Sequence, residues 1–244
     1  MSQRPLLCEL HAHTTWSDGV LSIREVVDLY GRHGFDVLCI TDHVVSVDDP
    51  YLLERGRSLD DTTWDAYVET IFDEGERARA LYDLLVIPGA ELTDNQADPD
   101  ESAHALALGL SEYVGMDDGL PVALATARRN GAVIVAAHPH GDEVEAAASP
   151  ARFTRRFCRD FDRLRPLVDR FELFSRSTLF AWVAERGLPS VAAGDFHVDA
   201  QLASWKTLVL CEKHEQAVLG RLRGSDRVYL TPFSAGETAA VRAA

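Results

Sequence analysis

Six histidines, two aspartates and one glutamate fall at points along this chain where they could act together. They are His11 and His13 in Glu-Leu-His-Ala-His, Asp18 in Ser-Asp-Gly, His43 in Thr-Asp-His, Glu91 in Gly-Ala-Glu, His104, His138 in His-Pro-His, and Asp195 and His197 in Asp-Phe-His. His11 and His13 are two apart, so in an extended segment both rings project to the same side and can share one ion. Neutral imidazole combined with carboxylate favours Zn²⁺, Mn²⁺ or Fe²⁺, whereas a Ca²⁺ site draws on oxygen alone. Nine ligands exceed the needs of one tetrahedral ion. A carboxylate can bridge two ions, and the number of candidates therefore predicts two or three. Each motif also has a plain structural reading: Asp42 as the N-cap of a following helix, His-Pro as a turn, His104 as a half-buried strand residue. The recurrence of histidine beside carboxylate at strand ends favours a metal cluster.

These residues need a scaffold that brings distant segments to one place. Short apolar runs alternate with amphipathic segments of about 10–18 residues, the pattern of βα units. Strands are predicted at Leu6–Leu10, Val37–Thr41, Leu84–Ala90, His104–Leu110, Ala132–Ala137, Arg170–Phe174, Ser190–Ala193 and Thr207–Cys211. Helices are predicted at Ser22–His33, Thr62–Tyr82, Pro121–Asn130, Pro150–Leu164, Thr178–Arg186 and Glu215–Leu222. In the first helix Ser22 and Glu25 form a capping-box pair, Val26, Leu29 and Tyr30 share a face, and Gly34 is a stop. Five of the ligand sites follow the C-terminal ends of predicted strands, which in a closed parallel barrel meet on one face. The polar stretches 44–61 and 93–102 read as long loops.

Composition narrows the partners. The 244 residues hold 39 Asp plus Glu against 24 Lys plus Arg, a formal net charge of −15. Such a chain is a poor ligand for long duplex nucleic acid or an anionic membrane. No window carries the ~18 apolar residues of a membrane span, and the first residues lack the apolar core of a secretion signal. Cys8, Cys39, Cys158 and Cys211 lack metal-type spacing and read as free thiols. Together these features predict a cytoplasmic protein.

The ordered set His11-Ala12-His13 with Ser17-Asp18-Gly19, Thr41-Asp42-His43, Glu91, His104, His138-Pro139 and Asp195-Phe196-His197 resembles the PHP (polymerase and histidinol phosphatase) family, from about residue 6 to 232. The resemblance implies an α/β fold, a distorted (β/α)7 barrel occupying residues 1–235 as a single domain with a C-terminal tail at 236–244. It also implies a di- or trinuclear centre. One ion would be held by His11, His13, Glu91 and Asp195. A second would be held by Asp18, His43 and His197, and a third by Glu91, His104 and His138, with Glu91 as a bridge. Asp18 stands where several members carry His, which suits a harder ion such as Mn²⁺ or Fe²⁺. Phe196 is bulkier than usual at its position and is expected to wall the pocket. The segment between His138 and Asp195 is too short for the inserted domain of some nucleotide-hydrolysing relatives.

The expected activity is hydrolysis of a small phosphorylated substrate, a phosphomonoester or nucleotide. A water shared by two cations would lose its proton near neutral pH and attack phosphorus. Arg176, after a strand in Phe-Ser-Arg-Ser, is the expected second phosphate contact. His140 is the expected proton donor or substrate-orienting group, and Trp16 a possible stacking surface. The alternatives are an exonuclease on short oligonucleotides and a non-catalytic metal-binding regulatory module. Amidohydrolase-like chemistry is disfavoured because no lysine stands at a suitable strand end. His33 and His214 read as surface residues. Oligomeric state is left open.

Overall fold

The opening capping box forms as the sequence requires. In a computed structural model, which describes residues 4–49, 57–98, 100–141 and 154–234, Ser22 caps α1 (Ile23–Arg32) reciprocally with Glu25. Gly34 follows at φ 76°, a left-handed conformation that ends the helix without a Cβ penalty. Val26, Val27 and Tyr30 of α1 are buried.

The strands are β1 (Leu6–Glu9), β2 (Val37–Ile40), β3 (His43–Val44), β4 (Leu85–Asp94), β5 (Ala103–Leu108), β6 (Val133–Ala137), β7 (Arg170–Ser175), β8 (Thr178–Leu179), β9 (Ser190–Ala193), β10 (Trp205–Val209) and β11 (Tyr229–Pro232). They form one sheet in the order β11-β10-β1-β2-β4-β5-β6-β7-β8, with β3 on β4 and β9 on β7. The other helices are α2 (Trp64–Tyr82), α3 (Leu120–Arg129), α4 (Arg156–Arg159), α5 (Phe161–Leu164), α6 (Ala181–Glu185) and α7 (Glu215–Arg223).

The sheet is mixed rather than all parallel. Pairs β1–β2, β2–β4, β6–β7 and β7–β9 are parallel, while β4–β5, β5–β6, β1–β10 and β10–β11 are antiparallel. A regular seven-fold βα repeat is therefore not what this chain builds. Its sheet curls until β9 approaches β1 and β10. Side chains carry much of that seam. The Thr207 hydroxyl accepts from the Ala192 amide at 2.9 Å and donates to the Ala192 carbonyl at 2.8 Å. One parallel bridge joins Ala12 to Phe196.

Strand alternation sorts the core into two layers. Cys8, Val37, Cys39, Leu85, Ile87, Leu106, Leu108, Val133, Val135, Val191 and Val209 pack inside the curl with Val218, Leu219 and Leu222 of α7. The opposite strand faces, with Leu38, Ile40, Val86, Ala105 and Ile134, pack against α1, α2 and α3. Cys8, Cys39 and Cys211 are buried, and Cys158 is partly buried. Arg170, buried at the start of β7, donates to the carbonyls of Arg221, Leu222, Gly224 and Asp226, and so satisfies the open C-terminal end of α7.

Two predicted helices take another form. Thr178–Arg186 splits into β8 and α6, because Arg176 adopts φ 55° and turns the chain back on β7. Within Pro150–Leu164 the described part is two short turns, α4 and α5, and residues 150–153 lie outside the described residues, as does the expected tail 236–244. No helix among the described residues is long and apolar enough to cross a membrane.

Candidate metal centre

The curl brings all nine expected ligands together. His11 and His13 follow β1, His43 opens β3 beside β4, and Glu91 lies within β4. His138 follows β6, and Asp195 and His197 follow β9. His104 sits near the start of its strand. Because β5 runs antiparallel to β4 and β6, that start lies at the same end of the sheet as the other strands' C-termini, with His104 opposite Thr93 and Ala137.

Glu91 is the hub. Its Oε2 lies 3.3 Å from His11 Nε2, 3.3 Å from His13 Nε2 and 3.0 Å from His43 Nδ1. Its Oε1 lies 3.3 Å from His104 Nδ1 and 3.1 Å from His138 Nε2. Asp195 Oδ1 stands 3.5–3.6 Å from His11 Nε2 and His13 Nε2. Asp18 Oδ1 stands 3.0 Å from His197 Nε2 and 3.5 Å from His43 Nε2. Three overlapping groups bring their donor atoms within 4.8 Å of one another: His13, Asp18, His43 and His197; His11, His13 and Asp195; and His11, Glu91 and His138. Relative to the sets implied by the family resemblance, His13 joins the Asp18 group and His11 takes the place of His104 beside Glu91 and His138.

Outer partners fix the rings. His11 Nδ1 meets Glu172 at 2.9 Å, and His43 Nδ1 meets the Thr93 hydroxyl at 2.7 Å. His138 Nδ1 meets the Thr154 hydroxyl at 3.2 Å, and His197 Nδ1 meets the Asp195 carbonyl at 3.0 Å. His104 Nε2 meets Asn95 Oδ1 at 2.9 Å. Asn95 in turn gives its amide hydrogens to Asp49, which can only accept, so its oxygen must face His104 and the His104 proton resides on Nε2. In His11, His104, His138 and His197 the second nitrogen points inward, whereas His43 turns Nδ1 towards both Thr93 and Glu91 and Nε2 towards Asp18.

That inward convergence suits cations. His11 Nε2 and His13 Nε2 face each other at 3.0 Å. Asp18 Oδ1, Glu91 Oε2 and His104 Nδ1 are buried without a hydrogen bond among the described residues. Buried polar atoms normally have partners, and a divalent ion would supply one here. Burial and neighbouring imidazoles lower His13 to about 4, and burial above all lowers His43 to about 3. Burial opposes the charged forms of His11, His138 and His197 too, but nearby carboxylates outweigh it and raise all three. For Glu91 and Asp195 the surrounding imidazoles overcome burial and hold the carboxyl groups low.

Other expected residues divide between the site and its frame. Arg176 pairs with Asp195 Oδ2 at 2.7 Å and also donates to the Asp195 carbonyl. His140 sits beside His138, its Nδ1 3.3 Å from the Thr154 hydroxyl and its ring 5.1 Å from Phe180. Burial and the neighbouring His138 lower its pKa to about 4. Trp16 packs edge-on against Tyr67, with ring centres 5.7 Å apart. Phe196 does not wall the pocket. Its ring is buried in the helix layer against Tyr30. Asp42 caps no helix. Its carboxylate accepts from the Thr14 amide, the Thr14 hydroxyl and the Ser17 hydroxyl, and burial raises its pKa. His214 is exposed and caps α7, whereas His33 is half-buried with its Nδ1 on the Leu29 carbonyl.

Four framing residues escaped the sequence reading: Glu9, Glu172, Asn95 and Lys206. Glu9, Glu172 and Lys206 are fully buried charges within strands. A charge inside an apolar strand requires a partner, and that signal was present in Cys-Glu-Leu and Phe-Glu-Leu-Phe. Asn95 lies in a polar loop and carries no such mark. Lys206 is the buried lysine, and its ammonium is taken up by Glu9 and the Ser204 hydroxyl.

A two-domain protein of Bacteroides vulgatus containing a predicted PHP-like metal-dependent phosphoesterase matches with TM-score 0.69 and 18% identity, over 94% of this chain and 65% of that chain. This chain has a PHP-like fold. The PHP-like chain thus spans just under two thirds of that structure. An amidohydrolase of Chromobacterium violaceum with bound sulfate and no metal matches with TM-score 0.51 and 15% identity, over 80% of this chain and 88% of that chain. In sequence, the PHP-like chain is 49% identical to the DNA polymerase/3'-5' exonuclease PolX of Bacillus subtilis over 35 residues, 14% of this chain and 6% of that protein. No protein-family model matches the chain.

Proposed function

We propose that this PHP-like chain is a metal-dependent phosphoesterase acting on a small phosphorylated substrate, a phosphomonoester or a nucleotide. One observation carries the reading. Six imidazoles and three carboxylates converge, and buried atoms of Asp18, Glu91 and His104 lack any hydrogen bond among the described residues. Two or three divalent ions, Mn²⁺, Fe²⁺ or Zn²⁺, fit that donor set. When bound, they would polarise the phosphoryl oxygens and acidify an attacking water.

The chain's own residues divide the remaining work. His11, His13, Glu91 and Asp195 hold one position, Asp18, His43 and His197 a second, and His104 and His138 with Glu91 a third. Arg176 is half-exposed beside Asp195 and offers the phosphate oxygens the guanidinium N–H groups that Asp195 does not take up. His140, lowered to about 4, is neutral near pH 7, which suits it to orienting substrate rather than donating a proton. Trp16 packs chiefly against Tyr67 and serves the loop between His13 and Asp18. The net charge of −15 favours a small anion held at the ions over a long polymer. Exonuclease activity on short oligonucleotides and a non-catalytic regulatory role are the competing readings.

The test is a hydrolysis screen with Mn²⁺, Zn²⁺ and Fe²⁺, setting phosphomonoesters, bis-phosphorylated nucleosides and short oligonucleotides side by side. Chelator should abolish turnover. Arg176→Ala should raise KM for the best substrate by about 10-fold or more, the scale of a charge-assisted hydrogen bond, with metal content unchanged. A KM equal to that of the wild type would remove Arg176 from the site.

A further inference from the structure

Glu172 is a fully buried carboxylate in β7 that touches two ligand-bearing segments at once. Its Oε1 lies 2.9 Å from His11 Nδ1, across 161 positions of sequence, and its Oε2 accepts the His138 backbone N–H at 2.7 Å. His138 holds φ 30°, a left-handed conformation that a residue with a Cβ adopts only under constraint. A carboxylate has acceptors only, so both contacts require donors. The His138 amide always is one. The His11 ring is one only with a proton on Nδ1, and in its neutral form that proton leaves Nε2 as a bare lone pair. Nε2 is the atom that faces His13 Nε2 at 3.0 Å, Glu91 at 3.3 Å and Asp195 at 3.5 Å.

We propose that Glu172 is a positioning residue that fixes the tautomer of His11 and the strained backbone of His138, so that two segments of the metal centre are set by one side chain. The inference rests on the metal-centre reading above. Its chemistry separates Glu172 from a generic buried acid. Glutamine has the same shape but one acceptor and one donor. If its oxygen faces His11, its NH2 confronts the His138 N–H. If its oxygen faces His138, its NH2 donates to His11 Nδ1, moves the ring proton to Nε2 and aims that N–H at the site of the ion. Either orientation damages the centre without changing its volume.

The proposal is tested by Zn²⁺ titration against a chelating indicator, comparing wild type with Glu172→Gln, with circular dichroism to verify the fold. The expected result is a loss of about 10–100-fold in affinity for one ion, the scale known for outer partners of ligating histidines, with the remaining ions bound as before. A second measurement needs no variant. Long-range ¹H–¹⁵N spectra of the Zn²⁺-loaded wild type should show His11 protonated at Nδ1. Equal affinity in the variant, or a His11 proton on Nε2, overturns the role of Glu172 and leaves the metal centre standing. Absence of Zn²⁺ binding by the wild type overturns both.

Discussion

Glu91→Gln is expected to empty the metal centre. Elemental analysis of the purified variant should fall from two or three ions per chain towards none, and phosphoester turnover should drop by at least about 10²–10³-fold. The reason is position as well as charge. Both oxygens of Glu91 are shared, Oε2 among His11, His13 and His43 and Oε1 between His104 and His138, all at 3.0–3.3 Å. An amide keeps the shape of the side chain but loses the negative charge that closely spaced cations need, and it turns one end into a donor facing the imidazoles. A variant that retains its metals and its turnover would defeat the assignment of Glu91 as the bridge.

The same charges set a pH dependence of metal uptake. His11, His138 and His197 are held above the ordinary imidazole value because carboxylates outweigh burial, whereas His13 and His43 are lowered to about 4 and about 3. A nitrogen with a raised pKa must lose its proton before it can bind an ion. Uptake by the wild type should therefore release protons, and apparent affinity should fall as pH drops below neutral. Titration in weakly buffered solution with a pH indicator measures the release directly. Affinity independent of pH across this range would contradict the arrangement.

Lys206→Met should be among the most destabilising single changes outside the centre, costing about 3–5 kcal/mol. For a chain of this size that is a drop in Tm of roughly 6–20 °C. Lys206 and Glu9 are both fully buried and joined as an ion pair. Glu9 also accepts from the amides of Leu10, His11 and Gly194 and from the Tyr30 hydroxyl. Removing the ammonium leaves a buried carboxylate facing methionine. A Cβ on Gly194 would lie 2.5 Å from Glu9 Oε2 and 2.6 Å from Lys206 Nζ, so any side chain there would force the buried ion pair to shift. The double variant Lys206→Met/Glu9→Gln should recover much of the loss, because the uncompensated charge is then gone while an acceptor for the amides remains. Calorimetry on the four proteins of the cycle decides the point. Additive losses would mean that the pair is not what holds the seam.

The candidate cluster was legible in the sequence for a local reason. An H-x-H at the end of an apolar run, or Asp-x-His after another, declares both its residue chemistry and its place at a strand end. The capping box at Ser22 and Glu25 was readable for the same reason, since three residues suffice to form it. Such signals weaken where long-range packing intervenes. Residues 178–186 carry helical composition, yet Arg176 at φ 55° returns the chain to β7 and takes the first part into a strand. Phe196 faces the helix layer because the left-handed turn at Asp195 and the bridge to Ala12 set its direction, which its size does not.

By itself the sequence determined the residue types of the candidate centre, the placement of several of them just after strands and the acidic character of the chain. Each is a property of a few neighbouring residues or of a sum over all of them. Tertiary structure alone decided that His104 reaches the cluster from the start of an antiparallel strand, and that His13 can serve two groups of donors. It also decided that Glu9 meets Lys206 across 197 positions and that Glu172 meets His11 across 161. Those pairings depend on strand direction and on the curl that brings β9 back to β1. Both are settled by the packing of the whole sheet, which no local pattern encodes.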